Sequence, residues 1–261
     1  MKRPTPIELL VVCGIIVLLA SIVIPTRQRL RQTSGRVRCA SNLKQIGMAM
    51  LLYAVDNQGR YPRTTYIPGA PVCWGTGAAA TDPFGTPGPS PNDVTSAMFL
   101  LVRTQDISPS AFTCEMTDAT PDPLAGGGAQ QRSNFTDVNK HLSYSFQNPY
   151  PAGDMPAWWW TKEDARSTFA YASDKNPGTE GGDDDVLGPT TRTTRAAEQR
   201  RANTNNNGGE GQNVLYSDGH VEFNQTPFCG TNDDNIFTTR ARLVVGPPID
   251  VDDSILLPTD D

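Results

Sequence analysis

The chain has 261 residues, among them 23 Gly and 22 Pro, and a formal net charge of −6, which allows one large domain or two small ones threaded by many turns. Charge is uneven: nine of the 22 Lys/Arg but only two of the 28 Asp/Glu (Glu8, Asp56) fall in residues 1–60, so a basic N-terminal part precedes an acidic body. Because that basic excess lies beside an apolar run, nucleic acid is excluded as the expected partner.

From Ile7 to Ile24 the chain is apolar except for Glu8, Gly14 and Ser21, a run of 18 residues. As a helix it would measure roughly 27 Å, enough for a thin hydrocarbon core. A carboxylate near its start is costly there. A cleaved secretory signal would need a small-residue cleavage site, and Ala20-Ser21 supplies a weak one. A plain single-span anchor leaves Glu8 unexplained.

A third reading rests on resemblance. IELLVVCGIIVLLASIVIP resembles the N-terminal segment of type IV pilins and type II secretion pseudopilins, in which a glutamate just past the processing point is followed seventeen residues later by a proline. Glu8 and Pro25 have that spacing. The following RQRLRQTSGRVRCASNLKQIGMAMLLYAVDNQGRYP is similar to planctomycete-type prepilin-like proteins with an NLKQIG helix. The resemblance implies that Glu8 meets the N-terminal amine of a neighbouring subunit. It implies as partners the membrane and copies of the chain or related pseudopilins, all through the N-terminal helix. It also brings in a prepilin peptidase, but that enzyme's glycine is missing: Arg3-Pro4-Thr5-Pro6 precedes Ile7, which puts cleavage and N-methylation in question.

Independently of family, Leu43, Ile46, Gly47, Met50, Tyr53 and Ala54 recur at spacings of three and four and predict an amphipathic helix. It should stop near Asp56-Asn57-Gln58-Gly59, before Pro62. Pro25 removes a backbone donor and predicts a kink. The divisions expected are a transmembrane segment over 1–25, its amphipathic continuation over 26–58, and a β-rich globular domain over 59–261. Lys2 and Arg3 precede the span while Arg27, Arg29, Arg31, Arg36, Arg38 and Lys44 follow it, so charge counting places the C-terminal part in the cytoplasm. The resemblance implies the reverse: a single-pass inner-membrane protein with a periplasmic or cell-surface domain.

Residues 61–91 read as short strands and loops, Val94–Val102 as a short helix or buried strand, and Leu142–Phe146 and Phe169–Ala172 as strands. Trp158-Trp159-Trp160 reads as partial core plus subunit contact rather than a ligand platform. The polar stretch 176–212 reads as a long loop. Cys39, Cys73, Cys114 and Cys229 lie far apart without a CxxC pair, which disfavours zinc and leaves three disulfide connectivities open. The family's phenylalanine-cysteine pair after the first domain helix, matched by Phe112 to Cys114, implies a Cys39–Cys114 disulfide; the alternative is two buried thiols.

Asn213-Val-Leu-Tyr-Ser-Asp218-Gly219-His220-Val-Glu-Phe reads as a hairpin turning on two residues, Asp218-Gly219, which pairs Tyr216 with Val221 and Val214 with Phe223. The stretch also resembles the C-terminal H-X9-DG signature of prepilin-like proteins. Asn207 or Gly208 stands where the signature's first His would fall.

Catalysis is not expected: the chain has two His, His141 and His220, and no GxSxG or HExxH pattern. The Gly126-Gly127-Gly128 stretch lacks a phosphate-loop ending. Acidic runs at 183–185, 232–234 and 250–253 offer oxygens that calcium would accept, but without the spacing of a calcium loop they read as a solvated acidic face; no other cofactor is implied. The expected fold is α+β and pilin-like: a long kinked N-terminal helix, membrane-spanning in its first half, packed on an antiparallel β-sheet domain with long loops. The expected function is a pilin- or pseudopilin-like structural subunit or accessory of a type II secretion or type IV pilus-like filament; the alternative is a non-assembling, surface-anchored binding protein of the same architecture.

Overall fold

The computed structural model describes residues 6–163, 166–178 and 184–260. Helix α1 (Pro6–Asp56) is followed by α2 (Val94–Thr104), α3 (Val138–His141), β1 (Tyr144–Gln147), β2 (Ala170–Asp174), α4 (Ala196–Ala202), β3 (Gln212–Tyr216), β4 (Val221–Asn224) and β5 (Leu256–Leu257). The five strands form one antiparallel sheet in the order β4-β3-β2-β1-β5.

The second half of α1 carries a stripe with helical period, and the stripe is what it buries. Leu43, Ile46, Met50, Tyr53 and Ala54 join Tyr144, Phe146, Tyr171, Ala172 and Leu215 in the main core. Gly47 sits where helix and sheet approach most closely, because a Cβ there would lie 2.8 Å from Leu215 Cδ1. The helix stops as Gly59 takes φ +85° and its N–H reaches back to the Ala54 carbonyl, a left-handed terminus that glycine adopts without a Cβ penalty. α2 starts at Asp93, whose carboxylate accepts from the Ser96 N–H at 2.8 Å, the N-cap contact that short polar side chains provide. Its apolar residues Val94 to Val102 are all buried. A second, smaller core of Ala170, Val186, Val214, Tyr216, Ile236, Phe237 and Leu256 takes the alternate residues of β3, so that strand is buried on both faces.

This architecture corrects the expected fold class. Among the described residues no helix is long and apolar enough to cross a membrane. The membrane-spanning first half of a pilin-like helix, the single-pass inner-membrane placement, and the pilus and secretion-system terms that followed from them are therefore not supported. What stands is a five-stranded antiparallel sheet with helices packed on it.

Two further expectations change. The stretch 176–212 is not one long loop: it contains α4, a 3-10 turn at Asn205–Asn207, and buried Val186, Ala202, Asn203 and Thr204. The hairpin register is shifted by one residue, because Leu215 faces Val221 and Val214 faces Glu222. The Tyr216 N–H bonds to the His220 carbonyl and the Gly219 N–H to the Tyr216 carbonyl, so the loop holds three residues, with Gly219 at φ +85°. A three-residue loop ending in a left-handed glycine adds a bulge that a two-residue turn lacks.

Candidate functional site

Two features of α1 bear on function: an exposed apolar end, and a buried polar centre where the helix meets the sheet. Nine large apolar side chains from Ile7 to Leu19 are 51–76% exposed. They point in all directions around the helix, since consecutive positions 10–12 and 15–19 are included. Single exposed apolar side chains are ordinary on a protein surface, but a contiguous set of nine is not. Glu8 and Pro25 lie on this helix, but their side chains, and the Arg3-Pro4-Thr5 segment, fall outside the described residues. The helix continues without interruption through Pro25.

Further along, α1 is fastened to the hairpin. Arg36 pairs with Glu210 and stacks 4.6 Å over the Phe223 ring. The Lys44 ammonium donates to the Gly219 carbonyl at 2.5 Å, and the Asn213 amide to the Arg36 carbonyl at 3.4 Å. On the other side Arg38 pairs with Glu115, and the Asn42 amide donates to the Thr113 carbonyl at 2.8 Å. Between these contacts Cys39 is joined to Cys114, with Cα atoms 5.3 Å apart. Both cysteines are buried, whereas Cys73 and Cys229 are free thiols. Burial pushes the Cys73 thiol up to about 11, with Asp93 adding to it, and Cys229 up to about 12. At neutral pH neither is a thiolate nucleophile.

Beneath the disulfide lies Asp174, the last residue of β2, fully buried. Its Oδ2 accepts from the Asn213 N–H at 2.8 Å, the Asn213 amide at 2.9 Å and the Asn207 amide at 2.8 Å. Its Oδ1 has no hydrogen-bond partner. Burial pushes the Asp174 carboxyl up to about 6, against the opposing hydrogen bonds from Asn213, Asn207 and Asn206. The signature-like segment therefore converges on one carboxylate: Asn213 and Asn207 touch it directly, and Gly208 caps the preceding turn at φ +62°. Sequence reading missed Asp174. Its only signal is an acid closing the strand FAYASD, where apolar and small residues otherwise predominate.

The rest of the signature is local. Asp218 Oδ1 accepts from the His220 N–H at 3.0 Å and meets His220 Nδ1 at 2.5 Å. Partial burial raises the Asp218 carboxyl, and the three interactions with His220 outweigh that and leave it below the usual carboxylate range. His220 stacks on Tyr216 with centroids 4.5 Å apart. This pair fixes a turn, and among the described residues it is not part of any cluster of three metal-ligating side chains.

The other candidates resolve similarly. Trp159 and Trp160 are buried, Trp160 donating to the Pro62 carbonyl at 2.9 Å, while Trp158 is 39% exposed. Among the described residues, acids from two of the acidic runs meet, but around a cation of the chain itself. Asp234, Asp250 and Asp253 surround Arg240, which lies 3.6 Å from Asp234 and 3.2 Å from Asp250 and donates its backbone N–H to Asp253. Burial, with Asp253 and Asp250 adding to it, pushes Asp234 up to about 8. Among the described residues the one cluster of three His, Cys, Asp or Glu close enough to share an ion is Cys39, Cys114 and Asp174.

No protein-family model, no curated protein and no solved structure matches this chain.

Proposed function

We propose that this protein is a non-catalytic structural subunit that assembles side by side with copies of itself, or with related chains, through the exposed N-terminal end of α1. The observation that carries this reading is the set of nine exposed apolar side chains between Ile7 and Leu19, held out on a helix whose other end is bolted into a disulfide-bonded domain. Burying those side chains between helices contributes about 1.5–3 kcal/mol for each one fully covered. A stiff helix keeps the contact in a repeatable geometry, which a filament needs.

The resemblance of residues 7–62 and of the Asp218-Gly219 hairpin to prepilin-like proteins supports the same reading, as does the scarcity of catalytic groups. The Cys39–Cys114 bond suits an oxidising environment. Negative-stain electron microscopy of the purified full chain tests the proposal. Elongated assemblies with a regular repeat are expected, and their loss on Ile16→Glu is expected too. Dispersed single particles at all concentrations would overturn it.

A further inference from the structure

The buried centre under α1 has a composition that a disulfide alone does not account for. The Sγ atoms of Cys39 and Cys114 and a carboxylate oxygen of Asp174 all lie within 4.8 Å of one another, and all three residues are buried. The Asp174 oxygens are used unequally: the three close hydrogen bonds, from Asn207 and twice from Asn213, all go to Oδ2, the Asn206 side chain adds a weaker interaction with the carboxyl, and Oδ1 has no partner within hydrogen-bond distance in a fully buried position. Leaving a buried carboxylate oxygen unpartnered is costly. Asn207 and Asn213 hold the carboxylate by its other oxygen, which is how outer-shell donors orient a metal-ligating carboxylate.

We propose that, in the dithiol form of the protein, Cys39, Cys114 and Asp174 form a zinc site, and that the disulfide is the metal-free alternative of the same site. Two thiolates and a carboxylate supply three of the four ligands of tetrahedral Zn²⁺, which takes sulfur at about 2.3 Å and oxygen at about 2.0–2.2 Å, with a water as the fourth. Binding displaces the two thiol protons to solvent. Oxidation then exchanges one crosslink for the other. A disulfide-bearing oxidant takes two electrons from the thiolates, the Sγ–Sγ bond forms, Zn²⁺ leaves, and the oxidant is released as two thiols carrying two protons from solvent. In either state α1 stays tied to the segment after residue 112, so the chain would have a crosslink both before and after oxidation.

The test uses the full chain with Cys13, Cys73 and Cys229 replaced by serine, reduced by a phosphine and titrated with Co²⁺ and Zn²⁺. One metal per chain, a thiolate-to-cobalt charge-transfer band and its displacement by Zn²⁺ are expected. Asp174→Asn should weaken binding by about tenfold or more, Cys39→Ser should abolish it, and the oxidised chain should bind none. Absence of the band in the reduced chain, wild-type affinity in Asp174→Asn, or uptake by the oxidised chain would each overturn the proposal. If the reduced chain unfolds, Zn²⁺ should restore its circular dichroism and cooperative melting. A chain still unfolded in excess Zn²⁺ also overturns it.

Discussion

The Asn207 side-chain amide donates a 2.8 Å hydrogen bond to Asp174 Oδ2, joining the segment before β3 to the end of β2 under the helix. The contact is specific to a neutral donor. Asn207→Asp would set a second carboxylate against a fully buried one, and like charges at that distance cannot both ionise at low cost. Because one of the two can be protonated at acid pH, the variant should lose more melting temperature at pH 8 than at pH 5. An equal loss at both would show that the amide contact is not what matters.

Stability should also depend on pH in the wild-type chain. Asp174 and Asp253 titrate at about 6 and Asp234 at about 8, against an unfolded value of about 3.9. Over that interval the folded state binds more protons than the unfolded state, so stability falls as pH rises through about 4 to 8. Asp137 and Asp218 are shifted downward, so their opposite contributions are lost only below about pH 4. The groups facing Asp234 are Asp250, Asp253 and Arg240. Melting temperature should therefore decline from pH 5 to pH 8, and Asp234→Asn should flatten the upper part of the decline. A rising profile would contradict the burial of these carboxyls.

Along α1 the two faces should respond differently to truncation. Leu43 is wholly buried and Leu52 is 55% exposed. Leu43→Ala should cost about 2–5 kcal/mol in chemical denaturation, and Leu52→Ala within about 0.5 kcal/mol. Comparable losses would mean the helix is seated on its other face.

Reduction of Cys39–Cys114 in metal-free buffer removes a crosslink spanning 75 positions. A loop of that size corresponds to about 4.5 kcal/mol of denatured-state constraint. The denaturation midpoint of the reduced chain should shift accordingly, and an unchanged midpoint would show that the bond does not constrain the unfolded chain.

Which parts of this structure were legible in the sequence follows from the range of the interactions. The stripe Leu43 to Ala54 and the strands around Tyr144 and Ala172 rest on local periodicity, and those residues are in the core. The hairpin's place was legible from Asp218-Gly219, but its register was not. β3 is buried on both faces, so its apolar residues carry no alternation that says which of them face α1. Asp174 was invisible because its meaning depends on Asn207 and Asn213, distant in the chain. The apolar run at 7–24 invited a membrane span, and hydropathy alone cannot say whether lipid or protein covers such a helix.

The central claim is that the apolar end of α1 is an assembly surface, and sedimentation velocity of the full chain across a concentration series tests it most directly. The account predicts large, concentration-dependent species for the wild type. It predicts a monomer of unchanged melting temperature for Ile16→Glu combined with Leu18→Glu, since both side chains are exposed. A wild-type chain that sediments as a monomer throughout, or a double variant that assembles as the wild type does, would contradict it.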